Sequence, residues 1–118
     1  MKRISSKRAK STQISTKVKT AVYDRDNGLC IICGKPGSPD AHFIPRSRGG
    51  LGTEENIVTL CRECHDRFDH GDTYDMTVIG TMVRCYLAEL YPDIEYPYDR
   101  YHPDDDSKLI YQKYGEEL

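Results

Sequence analysis

The sequence has no apolar run approaching the roughly 20 residues that a membrane-spanning helix requires. Its first twenty residues, Met1 to Thr20, carry no apolar core and do not read as a secretory signal. The same stretch contains no Asp or Glu, and the chain shows no internal repeat. These absences lead to an expectation of a cytoplasmic protein without a membrane partner. With 118 residues, 37% of them hydrophobic and 31% charged, there is room for one small domain. A domain of that size often needs a metal or a disulfide as a staple.

What is present is unevenly placed. Lys2, Arg3, Lys7, Arg8, Lys10, Lys17 and Lys19 all fall in the first twenty residues, whereas every one of the 19 acidic residues lies beyond them. The net charge of −2 therefore hides a basic arm on an acidic body. A solvated tail and a polyanion-binding arm both fit that pattern, and Lys7, Arg8 and Lys10 are the arm's candidate nucleic-acid contacts.

Five cysteines are present, four of them as Cys30-Ile-Ile-Cys33 and Cys61-Arg-Glu-Cys64. Two residues between thiols let both sulfurs reach one tetrahedral ion, and Gly34 after the first pair allows a tight knuckle. Four thiolates would close the coordination sphere around a structural Zn²⁺. The 27 residues between the pairs leave space for an inserted hairpin. Cys85 stands alone and reads as a bystander thiol.

The coarse organisation follows from pattern and breakers. Residues 1–14 read as a basic flexible arm. Val18, Ala21 and Val22 suggest a short helix capped by Ser15 or Thr16 and stopped at Asp26-Asn27-Gly28. Ala41 to Pro45 and Ile57 to Leu60 read as strands, separated by a basic glycine-rich loop from Arg46 to Gly52. Cys61 to His70 reads as a short helix. From Thr73 to Leu90 the apolar residues Ile79, Met82, Val83, Tyr86, Leu87 and Leu90 recur every three or four positions, which predicts an amphipathic helix ended by Pro92. Residues 92–106 read as a strap, with Leu109 to Tyr114 docking back. The expected domains are thus the arm (1–14), a core (15–72) and a C-terminal helix and strap packed on it (73–118).

Threaded through the four cysteines are His42 in Ala41-His42-Phe43-Ile44-Pro45-Arg46-Ser47-Arg48-Gly49-Gly50, Asn56, and His65 directly after the second knuckle. This order resembles the HNH, or ββα-metal, endonuclease family over about Val18 to Asp69. Tyr86-Leu87, Tyr91-Pro92 and Leu109-Ile110-Tyr111 look like the tail of small HNH proteins of phages and prophages. The resemblance implies an α+β fold: a small zinc-stabilised ββα-metal domain with flanking helices. It also implies metal-dependent hydrolysis of DNA phosphodiester bonds, with Mg²⁺, Mn²⁺, Ni²⁺ or Zn²⁺ as catalytic ion. By the same resemblance His42 is the general base, Asn56 orients the site by hydrogen bonding or metal ligation, and His65 is a metal ligand.

Asp69, four residues beyond His65 on a helix, lies on the same face and is a further candidate ligand. Before His42 the family carries Asp or His, whereas this chain has Ala41. Asp40 is one residue further back and could compensate only through a bulge in the strand. Otherwise His42 would itself bind metal and another group would be the base. Arg46 and Arg48 in the glycine-rich loop are candidate phosphate contacts. Ala41 also motivates a different class of function, a zinc-containing nucleic-acid-binding module with weak or no catalysis. The acidic, Tyr-rich stretch from Asp93 to Asp106 motivates another, a phage-packaging accessory contacting terminase proteins.

Overall fold

The structure, a computed structural model, describes residues 11–94. Lys7, Arg8, Lys10, most of the strap and the segment Leu109 to Tyr114 lie outside the described residues. Within them the order is α1 (Thr16–Arg25), β1 (Ser38–His42), a 3₁₀ turn (Arg46–Arg48), β2 (Ile57–Leu60), α2 (Arg62–His70) and α3 (Thr73–Leu90). No helix among the described residues is long and apolar enough to cross a membrane.

α1 begins where Ser15 accepts a hydrogen bond from the Val18 amide at 3.2 Å. It ends because Asn27 and Gly28 both take left-handed backbone angles, with φ of 58° and 65°. α3 spans the predicted limits, capped by Asp72, whose carboxylate accepts from the Asp75 amide at 2.8 Å. Its apolar face buries Ile79, Val83 and Leu87, while Met82 and Tyr86 are half-buried and Leu90 is exposed. The predicted stripe therefore runs out one turn before the helix does.

β1 and β2 pair antiparallel, the hairpin that the spacing between the cysteine pairs leaves room for. The strand differs from the expected Ala41 to Pro45: it starts at Ser38 and ends at His42. Beyond His42 the Asn56 side chain takes over the pairing, accepting from the Ile44 amide at 2.8 Å and donating to the Ile44 carbonyl at 3.1 Å. The core gathers Ala41, Phe43, Ile44, Val58, Leu60, Phe68, Ile79, Val83 and Leu87 around the buried cysteines.

A polar clamp binds these layers. Arg25 at the end of α1 makes paired contacts of 2.8 and 3.0 Å with Asp26 and donates to the Ile57 and Glu54 carbonyls, each at 2.8 Å. Asp26 also accepts from the Thr59 amide at 2.9 Å and from the Tyr86 hydroxyl of α3. Its carboxylate is fully buried, so these donors replace the water it has lost.

Candidate metal and nuclease site

The four paired cysteines come together. Their sulfurs all lie within 4.8 Å of one another, with Cys33 and Cys61 at 3.5 Å. Four sulfurs about 2.3 Å from a tetrahedral zinc sit about 3.8 Å apart, so the cluster fits that ion. Each knuckle is built locally. Gly34, at φ 80°, turns its amide to the Cys30 carbonyl at 2.9 Å. Cys61 caps α2, its sulfur accepting from the Cys64 amide at 3.4 Å.

Electrostatics favour a cation here. Burial opposes ionisation of Cys30, yet the amides of Cys61, Cys33 and Ile32 directed at it bring the thiol down to about 7. Cys64 is pushed up, by burial first and then by the sulfurs of its neighbours. One thiolate forms readily and hinders the next, and a dication removes that conflict. The donor set points to a structural metal, zinc by its chemistry. Cys85 is half-buried on α3 and lies outside the cluster.

A second centre opens between β1 and α2. An open cavity of about 600 Å³ is lined by Asp40, His42, Arg46, Arg48, His65 and Asp69, among others. All six of these residues come from strand β1, helix α2 or the turn between the strands, so the hairpin–helix packing is what assembles them. His65 and Asp69 are one helical turn apart and meet at 3.0 Å through Nε2. The hydrogen bond that the ring donates to the Asp69 carboxylate raises the His65 imidazole above its ordinary range.

Asp40 reaches this centre through a bulge. Ser38 pairs with Leu60 and Ala41 with Val58, so Pro39 and Asp40 together oppose the single residue Thr59. Ala41 points into the core, fully buried, while the Asp40 carboxylate comes within 3.7 Å of His65 Nδ1. Asp40 and Asp69 therefore address opposite nitrogens of one ring, and the three side chains do not converge on one point. His65 and Asp69 fit as a two-donor set for a divalent ion.

His42 faces the same cavity, with Nε2 held 2.8 Å from the Thr12 carbonyl oxygen. A carbonyl only accepts, so this nitrogen carries the proton and Nδ1 keeps a lone pair. Burial lowers the His42 pKa below its usual value, against the opposing pull of the Thr12 carbonyl. Asn56 does not line the cavity. It is buried, with its oxygen taken by the Ile44 amide and its nitrogen by the Ile44 and Leu51 carbonyls. That leaves hydrogen bonding rather than metal ligation as what its position supports.

Two neighbours of the site were not singled out as site residues by the sequence. Thr12 belongs to the expected arm, yet it is only 3% exposed, between its exposed neighbours Ser11 and Gln13. Lys19 on α1 lines a smaller cavity that it shares with Asp40, His42 and Arg46. Basic composition registered Lys19, but only the packing of α1 beside β1 sets it near His42.

Residues 30–75 match a family model described as HNH endonuclease. Over 58 residues the chain is 38% identical to the type IV methyl-directed restriction enzyme EcoKMcrA of Escherichia coli, covering 41% of this chain and 21% of that enzyme. Over 58 residues it is 31% identical to anaredoxin of a Nostoc species, covering 48% of this chain and 76% of that protein. Residues 30–75 thus carry an HNH endonuclease domain. The chain's match spans about a fifth of the restriction enzyme's length. The family model and the restriction enzyme support a nuclease-type function.

Proposed function

We propose that this protein is a metal-dependent DNA endonuclease that hydrolyses phosphodiester bonds. The observation that carries the reading is a single cavity lined by a neutral-leaning histidine, a His–Asp pair one helical turn apart and two arginines. His42 is the general base: its Nδ1 lone pair takes a proton from the attacking water. Burial favours the neutral imidazole that this step needs. Arg46 and Arg48 bind the DNA backbone, and Lys19 adds a third cation on the same side.

His65 and Asp69 would hold the divalent ion, with oxygen donors from water and phosphate completing a set suited to Mg²⁺ or Mn²⁺, and the imidazole also suiting Ni²⁺ or Zn²⁺. When bound, that ion supplies positive charge to the phosphate and leaving oxygen. Asp40 positions the His65 ring from its Nδ1 side. Asn56 holds the Ile44 backbone, and with it the end of the strand that presents His42.

The test is nicking of supercoiled plasmid by zinc-loaded protein with Mg²⁺, Mn²⁺, Ni²⁺ or EDTA, beside His42→Ala. The expected result is cleavage that needs added metal and falls by about 10²- to 10⁴-fold in the variant. Folded protein that binds DNA but cuts with no metal would instead support a binding module.

A further inference from the structure

Three residues from outside the hairpin–helix unit form the back wall of its candidate base. Ser11 accepts a hydrogen bond from the Gly52 amide at 3.0 Å. The Thr12 carbonyl meets His42 Nε2 at 2.8 Å, and the Thr12 hydroxyl accepts from Arg46 Nε at 3.3 Å. The Gln13 backbone lies so close to Gly52 that a Cβ at position 52 would stand 1.9 Å from the Gln13 carbonyl oxygen and 2.5 Å from its carbon. Thr12 is buried although the sequence around it is polar.

We propose that the segment Ser11–Gln13 is a separable positioning element of the active site, which arms His42 only while it is seated against Gly52. The inference rests on the nuclease reading and deepens it. Because the Thr12 carbonyl can only accept, a seated segment fixes the proton on Nε2 and leaves Nδ1 to act as base. It also fixes the ring plane, and a misplacement of about 1 Å at a reacting group can cost about 100-fold in rate. Released, the segment leaves His42 free to exchange tautomers and to turn. The contact joins residues 30 positions apart, so it depends on docking and not on local chain geometry. Thr12 is thus a positioning residue acting through its backbone, and Gly52 is the residue that makes its seat.

Two variants of the full chain release the segment from opposite sides. Gly52→Ala fills the seat. Gln13→Pro disfavours the helical conformation that Thr12 holds, and so moves its carbonyl. Amide exchange at position 52, whose N–H binds the Ser11 carbonyl, reports release. Nitrogen-15 spectra of the histidine ring report the tautomer. The expected result is a shared pattern: a single-turnover rate down by about 100-fold, DNA affinity and zinc content retained, and His42 changed from Nε2-protonated to a mixture. Release with unchanged rate and tautomer would overturn the proposal, as would a wild-type ring protonated on Nδ1, or a segment still seated in both variants. If the wild-type protein cuts no DNA, the nuclease reading fails, and the ring spectra alone still decide whether Thr12 sets the tautomer.

Discussion

Asn56 brackets Ile44: its amide oxygen takes the Ile44 N–H at 2.8 Å and its amide nitrogen gives to the Ile44 carbonyl at 3.1 Å. A side chain thereby imitates a β-strand partner where the strand itself has ended. The same nitrogen also reaches the Leu51 carbonyl at 2.8 Å, closing the loop that carries Arg46 and Arg48. Asn56→Ala would leave three backbone groups without their partner. Each such loss costs about 1–3 kcal/mol when buried. The expected total is about 3 kcal/mol, with a clearly lower thermal midpoint. An unchanged midpoint would show that the loop does not depend on this bracket.

Removal of the structural metal should unfold the domain. Structural zinc contributes about 10–16 kcal/mol in small peptides, and the apolar core here is small. One equivalent of zinc is expected per chain. Chelation, or Cys61→Ser, should collapse the far-ultraviolet dichroism signal, whereas Cys85→Ser should leave zinc content unchanged. Native-like dichroism in fully zinc-free protein would refute the role assigned to the cluster.

Acid should weaken the fold through Asp26. Burial by itself raises this carboxyl, but hydrogen bonds from Arg25 and Tyr86, the Arg25 charge and the Thr59 amide hold it below the usual range. A depressed carboxyl stabilises the folded state above its unfolded value of about 3.9. That contribution is lost as pH falls through the lower folded value. Asp26→Asn should cost about 3 kcal/mol at neutral pH by stranding buried Arg25, and should flatten the acid limb of the stability curve. Urea titrations at several pH values measure both. A variant with the same acid limb as wild type would shift the effect to other carboxylates.

At limiting catalytic metal, cleavage should rise with pH through the titration of His65. An imidazolium cannot ligate, and Asp69 holds this ring protonated to a higher pH than an ordinary histidine. Asp69→Asn should move the midpoint downward and also raise the metal concentration needed, since it removes a candidate donor. Metal titrations at pH 6, 7 and 8, round values that bracket the ordinary histidine pKa of about 6.5, separate the two effects. A midpoint that Asp69→Asn leaves in place would break the link between the pair and metal loading.

The His65–Asp40 contact is itself a consequence of the bulge. Asp40→Ala removes the carboxylate 3.7 Å from Nδ1 and should weaken cleavage by about 10- to 100-fold, the usual cost of losing a partner that orients a metal ligand. Ala41→Asp should not restore it. Ala41 points into the core with no exposed surface, and a carboxylate there would be buried without a partner. An active Ala41→Asp variant of wild-type stability would mean that the strand register is other than described.

What the sequence determined by itself was local or arithmetic. The paired cysteines announced a four-sulfur site because two-residue spacing suits a chelate. The three- and four-residue apolar recurrence gave α3 its limits, and Ser15 and the Asn27-Gly28 breaker bounded α1, because caps and turns are decided by neighbours in the chain. The order of His42, Asn56 and His65 carried the family resemblance, and the i, i+4 spacing put Asp69 beside His65. The tertiary structure decided the rest. The bulge at Pro39 and Asp40 exists because β1 must pair with β2 while keeping both Ala41 in the core and Asp40 beside α2. The seat of Thr12 against His42, the bracket of Asn56 on Ile44 and the clamp of Asp26 on Tyr86 join residues 30, 12 and 60 positions apart. Contacts over such separations are formed by packing, and neither the propensity nor the periodicity of a segment records the partner it will meet.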